Sequence, residues 1–322
     1  MNENEYAIGL DLGGTKILAG LVDSEGRVVS QKQLPTSSED GEKAVISRVL
    51  AAIEAVMLEV SVDRNQIRGV GIASAGVIDS AKKEVIFASN LGWRDVPIGN
   101  LIQERFDLPA SLMNDANASA VAEWMWGAGK GTQNMIYVTV STGVGAGIIC
   151  NGRLLLGHDG SAGEFGHISI DWNGPICSCG NRGCLENYAS GTAIENVARA
   201  RMVSKESSLS GSLSEGESLT AKQIGEAALQ GDPFSIDILK QAGFYLGIGA
   251  TSLIHLFNPE MIVFGGGVMN AAPVILEEIE KSLKERCIPG LASQVRVELN
   301  QLGIESGVMG AAGLLFSEER KG

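Results

Sequence analysis

No stretch of the 322-residue chain is apolar for long enough to span a bilayer. Its first residues, MNENEYAIG, lack the basic n-region and apolar h-region of a signal peptide. Basic charge is also scarce. Against 38 Asp and Glu stand 25 Lys and Arg, a net charge of -13, which disfavours a phosphate-backbone partner and favours small-molecule chemistry. Neither a membrane nor a nucleic-acid partner is therefore expected. Cysteine is sparse too: the chain has five, and three of them fall at metal-like spacing, which fits a reducing compartment better than a disulfide framework. The expected location is the cytoplasm. What the chain has in quantity is glycine, 42 residues gathered at the ends of expected strands rather than in a low-complexity tract. The length allows two domains of ordinary size.

The densest chemistry lies in GEFGHISIDWNGPICSCGNRGCLE, residues 163–186. His167, Cys177, Cys179 and Cys184 offer one imidazole and three thiolates, a closed tetrahedral set for a structural zinc with no position left for a reactive water. The H-x9-C-x-C-x4-C spacing is tighter than the common C-x2-C pair, and a chance cluster of reduced cysteines would read the same way. Gly180 and Gly183 give the loop the freedom to curl round one ion. Glu164 and Glu186 flank the ligands, and both carry carboxylates available for other work.

Along the chain, short apolar runs at Tyr6–Leu12, Ile17–Val22 and Val28–Leu34 predict three strands, the first two joined through Gly13-Gly14. Helical spacing appears over 42–60, then strands at 69–73 and 110–113, with a helix after Pro97. A helix over 117–126 places Asn114-Asp115 between a strand end and a helix start. Strands at 135–140 and 148–150 flank a second glycine-rich turn, and Asn151-Gly152 is a hairpin signal. Thr192–Val203 reads as a helix and 204–218 as an exposed loop. Thr220 with Gln223 forms a capping box, Asp232-Pro233 opens a helix that runs to about Phe257, and helices close the chain at 274–286 and 307–318. Two α/β lobes emerge, each opening with strand, glycine-rich hairpin and strand. Their duplication suggests a nucleotide cleft between them.

Three glycine-rich turns stand at strand ends. Gly13-Gly14-Thr15 could cradle phosphate on backbone N–H groups, with Asp11 orienting a magnesium ion, although an ordinary hairpin reads alike. Gly143, Gly145 and Gly147 do not fit a dinucleotide fingerprint, because the spacing is G-x-G-x-G and a strand comes next instead of a helix. A second phosphate hairpin with Thr142 as donor fits better, beside the plainer reading of a strand bend. Gly265–Gly267 lies between strand and helix, where a ring or phosphate can approach backbone. Asp115 would ordinarily be an N-cap. At a cleft mouth, the same carboxylate can take a proton from an alcohol. Glu164 and Glu186 could then clamp sugar hydroxyls, and His167, ligating through one nitrogen, could offer the other to a hydroxyl.

These residues carry a resemblance. LDLGGTK (10–16), GIASAGVID (71–79), NDANASAVAEWMWGAGKG (114–131), VTVSTGVGAGI (138–148), GEFGH (163–167), CSCGNRGCLE (177–186) and NPEMIVFGGGV (258–268) resemble the ROK family of sugar kinases and repressors over nearly the whole chain, bacterial glucokinases above all. The resemblance implies a two-lobed, actin-like ATPase (ribonuclease H-like) fold of α/β class. Its lobes would be 1–113 with 304–322, and 114–303 with the zinc loop. It implies transfer of a phosphoryl group from ATP to the 6-hydroxyl of a hexose, with glucose leading over N-acetylmannosamine, N-acetylglucosamine, allose and fructose. Asp115 then matches the catalytic base. Asn90, Asn114, Asp115 itself, Glu164, His167 and Glu186 match sugar contacts. Asp11, Gly13, Gly14, Thr15, Lys16, Thr142 and Gly143 match the Mg2+–ATP phosphate loops, and Gly266 and Gly267 the adenosine side. A homodimer or homotetramer is implied. Repressors of the family carry a helix-turn-helix ahead of this fold, and a first strand at Tyr6 leaves no room for one. A non-catalytic sugar sensor would be expected to lack the base or the phosphate loops, and Asp115 and Asp11 are both present.

Overall fold

The computed structural model describes residues 5–60, 62–202 and 219–317, so the loop expected over 204–218 lies outside the described residues. By its internal contacts the chain divides into two compact units: 1–133 with 147–163 and 300–322, and 134–146 with 164–299. Where the sequence suggests a boundary after residue 113, the contacts carry the first unit on to Gln133.

In the first unit the apolar runs become β1 (Tyr6–Leu12), β2 (Lys16–Asp23) and β3 (Val28–Pro35), an antiparallel meander. α1 (Glu42–Glu59) buries Val45, Val49, Ala52, Ile53 and Val56, the face its 3–4 spacing marks. β4 (Ile67–Ser74) pairs parallel with β1. Three short strands then form a sheet of their own, β5 (Val77–Asp79), β6 (Glu84–Ala88) and β7 (Trp93–Val96), which the sequence does not announce. After α2 (Ile98–Phe106), β8 (Ala110–Asn114) pairs parallel with β4 and completes the main sheet in the order β3-β2-β1-β4-β8. α3 (Asp115–Trp126) comes directly after it.

The other five-stranded sheet repeats this plan. β9 (Met135–Val140), β10 (Val144–Cys150), β11 (Arg153–Leu154), β12 (Met261–Gly265) and β13 (Arg296–Leu299) stand in the order β11-β10-β9-β12-β13. In both sheets the third, second, first, fourth and fifth strands are neighbours in that order, so the duplication extends from hairpin to topology. In the second unit, α4 (Glu186–Ala189) and α5 (Gly191–Met202) succeed the cysteine loop. α6 (Ala221–Leu229) begins in a capping box of Thr220 and Gln223, and α7 (Pro233–Phe257) has Asp232 as cap and Pro at its first position. α8 (Ala272–Arg286) packs against α7. No helix among the described residues is long and apolar enough to cross a membrane.

The chain ends in α9 (Ser306–Ser317), which lies against the first sheet at very close range because glycines face it. A Cβ on Gly9 would stand 1.9 Å from the Val308 carbonyl oxygen, and one on Gly71 would stand 1.8 Å from that of Ala311. On the helix's other side, a Cβ on Gly310 would stand 1.6 Å from the Ala118 oxygen, so α3 and α9 pack backbone to backbone. That contact is why α3 belongs to the first unit. Gly71→Ala must push α9 outward, and an overpacked core of this kind costs about 1–3 kcal/mol or more. Urea unfolding of the variant should therefore shift to a lower midpoint; a midpoint equal to the parent's would show that α9 yields freely.

Candidate active site

Parallel strand ends gather the polar residues of the first unit. Leu12, Ser74 and Asn114 are in register across β1, β4 and β8, so the turn after β1 and the start of α3 leave the same sheet edge. Crevices at the carboxyl ends of parallel strands are where α/β folds bind ligands. Asp11 sits at that end of β1, with Gly13, Gly14 and Thr15 in the turn and Lys16 opening β2. Asn90 packs on the same turn: a Cβ on Gly14 would stand 2.9 Å from the Asn90 Cβ. Gly14 thus has a packing reason to be glycine.

The helix cap differs from the sequence expectation. Asn114, not Asp115, is the N-cap of α3: its Oδ1 accepts from the Ala116 N–H at 2.8 Å. The reason is register, since Asn114 is the last extended residue of β8 and Asp115 already has helical backbone. With Oδ1 committed to the cap, the Asn114 amide N–H2 is the group left for a ligand oxygen. The Asp115 Oδ1 accepts from the same N–H at 2.8 Å.

Asp115 is open to solvent at its surface, yet protein crowds it enough to strip hydration, and that burial raises its pKa above the usual carboxylate range. Asp11 is pushed up to about 6, first by burial and further by the charge of Asp115, against the opposing pull of Lys16. Two carboxyls that both resist ionisation at one sheet edge make a place suited to a cation or a proton.

The raised pKa of Asp11 couples stability to pH. Because its folded pKa lies above the ordinary 3.8, the folded state holds the proton more tightly than the unfolded chain does. The associated stability is present below 3.8 and lost as pH rises through about 6. Above that, ionised Asp11 costs the fold on the order of 3 kcal/mol. Asp11→Asn should raise the urea midpoint at pH 8, with the gain shrinking as pH falls from about 6 toward 3.8. A variant less stable than the parent at pH 8 would contradict this.

The second unit supplies two further groups. At the carboxyl ends of β9 and β12, where Gly265 pairs with Thr139, lies a pocket of about 280 Å³. Thr142 and Gly267, both expected as nucleotide contacts, line it, together with Thr192, Glu195, Lys222 and Asn270, which no sequence signal singles out. The hairpin at its wall is tied to the start of α5, for the Gly191 N–H donates to the Ser141 oxygen at 2.7 Å and the Thr192 hydroxyl to the Thr142 oxygen at 2.9 Å. Gly266 has φ 93°, and a Cβ there would stand 2.4 Å from the Val140 oxygen, so only glycine fits this turn. Gly143 is held from below by Glu186, whose Oε2 accepts from the Val144 N–H at 3.0 Å and would stand 2.5 Å from a Cβ on Gly143. Glu186, expected as a sugar contact, therefore supports the turn expected to hold phosphate.

The other group is the cysteine loop. Ligand atoms of His167, Cys177, Cys179 and Cys184 all lie within 4.8 Å of one another. Cys177 Sγ to His167 Nδ1 is 3.7 Å, and Cys179 Sγ to Cys184 Sγ is 3.7 Å. A tetrahedron with Zn–S bonds of about 2.3 Å has edges of about 3.8 Å, so the set fits zinc. Nδ1 faces the thiols, which leaves the other ring nitrogen, Nε2, toward Glu164, 3.9 Å from its Oε2. With no cation the thiols cannot all ionise. Burial pushes the Cys184 thiol up to about 12, aided by Cys179 and Cys177. Cys177 is also raised by burial, but hydrogen bonds from Cys179 and His167 bring it down to about 7.

Known proteins resemble this chain in sequence and fold. A glucokinase of Streptomyces coelicolor is 37% identical over 312 residues, 95% of this chain and 96% of its own. The solved structure of a ROK family glucokinase from Streptomyces griseus in complex with glucose and AMPPNP is 37% identical, with a TM-score of 0.81 over 96% of this chain and 98% of that one. A xylose repressor of Bacillus spizizenii is 34% identical over 97% of this chain and 77% of its own length. The ROK family model matches residues 7–318, and with that the chain belongs to the ROK family.

Proposed function

We propose that the protein is an ATP-dependent sugar kinase and that its sugar is glucose, phosphorylated at the 6-hydroxyl. The observation that carries the reading is the pairing of Asp11 and Asp115 at one sheet edge, with Asp115 both reachable and poorly hydrated. The 37% identity to a glucokinase supports glucose as the sugar. Asp115 accepts the 6-hydroxyl proton as the sugar oxygen bonds to the γ-phosphorus and the bond from that phosphorus to the ADP oxygen breaks. In phosphoryl transfer the protein mainly positions groups and neutralises charge. Asn90, Asn114, Glu164, His167 and Glu186 hold sugar hydroxyls. The Gly13–Lys16 and Thr142–Gly143 turns hold phosphates, and the pocket at Gly266 and Gly267 takes the nucleoside. Asp11 would hold magnesium, which, when bound with ATP, screens phosphate charge. His167, Cys177, Cys179 and Cys184 would hold a structural zinc that fixes the loop.

The 34% identity to a xylose repressor favours one alternative, a sugar sensor without turnover. Activity with MgATP across a hexose panel, with Asp115→Ala as the blank, separates the readings. Glucose preferred supports the proposal in full. Another hexose preferred keeps the chemistry and replaces the substrate, whereas sugar binding with no turnover selects the sensor.

A further inference from the structure

Glu123 is a carboxylate that the chemistry above does not use. It lies in α3, eight residues and about 12 Å below Asp115, and its exposure is 0%. Burying a carboxylate is costly unless its oxygens are well satisfied. Here they are satisfied by backbone alone. Oε1 accepts from the N–H groups of Gln301 and Leu302, both at 2.9 Å, and Oε2 accepts from that of Ala128 at 2.8 Å. A Cβ on Gly127 would stand 2.1 Å from Oε2, so the turn after α3 is shaped round this carboxylate.

Gln301 and Leu302 matter because they stand immediately before α9. Leu302 precedes a 3-10 turn, Gly303–Glu305, which leads straight into that helix. The second residue of α9 meets the active site: a Cβ on Gly307 would stand 2.9 Å from the Asp11 carboxyl carbon. Higher up, the Ser119 and Ser306 hydroxyls, 3.4 Å apart, join α3 to the first residue of α9. We propose that Glu123 is a positioning residue: by gripping the 301–302 turn it fixes where α9 begins, and so holds the wall against which Asp11 is set. Across 178 residues of sequence, one side chain on the helix of Asp115 thereby sets the surroundings of Asp11. The proposal rests on the reading of Asp11 as a group on the MgATP side.

Glu123→Gln removes the charge, and its amide must turn an N–H toward a backbone N–H on one side or the other. The test compares this variant with the parent and with Ile53→Val, a core change in a different helix, α1, that lowers stability. Measured quantities are KM for MgATP, KM for the sugar and, by calorimetry, Kd for magnesium AMPPNP. In Glu123→Gln the two nucleotide constants should rise about tenfold while the sugar KM stays within about twofold, as for supporting residues of a charged site. Ile53→Val should leave all three unchanged. Nucleotide constants equal to the parent's in a less stable Glu123→Gln would overturn the proposal and leave Glu123 a purely structural residue. If that variant does not fold, Glu123→Asp, which keeps the charge but draws it back, is held to the same criterion. A parent without sugar phosphorylation would instead refute the kinase reading, and the calorimetric Kd would still decide the role of Glu123.

Discussion

Asp115→Ala should bind sugar nearly as the parent does and lose about 10²- to 10⁴-fold in turnover, the range a positioned general base contributes. Binding should survive because Asn114, not Asp115, caps α3, through the Oδ1 bond to the Ala116 N–H. The helix start therefore keeps its cap when the neighbouring carboxylate is removed. Turnover should fall because the 6-hydroxyl proton loses the carboxylate proposed to accept it, while the neighbouring carboxyl, Asp11, is the one proposed to hold magnesium. The parent's pH profile should carry the same signature. Burial raises the Asp115 pKa, and only the ionised form is a base, so activity should fall with decreasing pH at values above the ordinary carboxylate range. Calorimetric sugar titration beside steady-state kinetics checks both parts. Full turnover in Asp115→Ala would remove this residue from the chemistry.

Much of this geometry is legible in the sequence because it is local. The strands of both meanders are short apolar runs cut by glycine, and the Thr220–Gln223 and Asp232-Pro233 caps are complete within four residues. The candidate metal set is equally local, four potential ligands within 18 positions of one loop. What the sequence hides depends on distant partners. The β5-β6-β7 sheet leaves Val77 and Phe87 exposed, so its strands lack the alternation that marks a half-buried strand, and pairing alone defines them. The edge strand β13 is mostly exposed for the same reason. Composition cannot choose between Asn114 and Asp115 as cap, since both types serve; the end of β8 decides it. Glu195 and Lys222 reach the pocket beside Thr142 from two different helices, and Glu186 reaches the Val144 N–H from 42 residues away. No spacing rule reads such convergence.

Removing the metal should strike sugar affinity before nucleotide affinity. His167 is the link: Nδ1 is on the thiol side and Nε2 on the Glu164 side, so an ion that fixes this ring also fixes the two groups read as sugar contacts. Without a cation, burial holds the Cys184 thiol protonated, pushed up to about 12, and the three sulfurs lose the shared positive charge that draws them together. Loss of such support costs about 10- to 100-fold in affinity, along with some folding stability. The pocket proposed for the nucleotide is better protected, because Ser141 and Thr142 are anchored to α5 by bonds that involve no metal ligand. The loop does touch the neighbouring hairpin: Glu186, two residues beyond Cys184, supports the Val144 N–H, and a Cβ on Gly166, next to His167, would stand 2.2 Å from the Val144 oxygen. Cys184→Ser, or chelation followed by metal analysis, should therefore raise the sugar Kd at least about tenfold and the magnesium AMPPNP Kd only about two- to threefold. Equal losses for both ligands would mean that the loop's contacts at Val144, through Glu186 and Gly166, transmit the disorder to the 142–144 turn. Metal-free protein with an unchanged sugar Kd would mean that the Glu164–His167 wall stands without the ion.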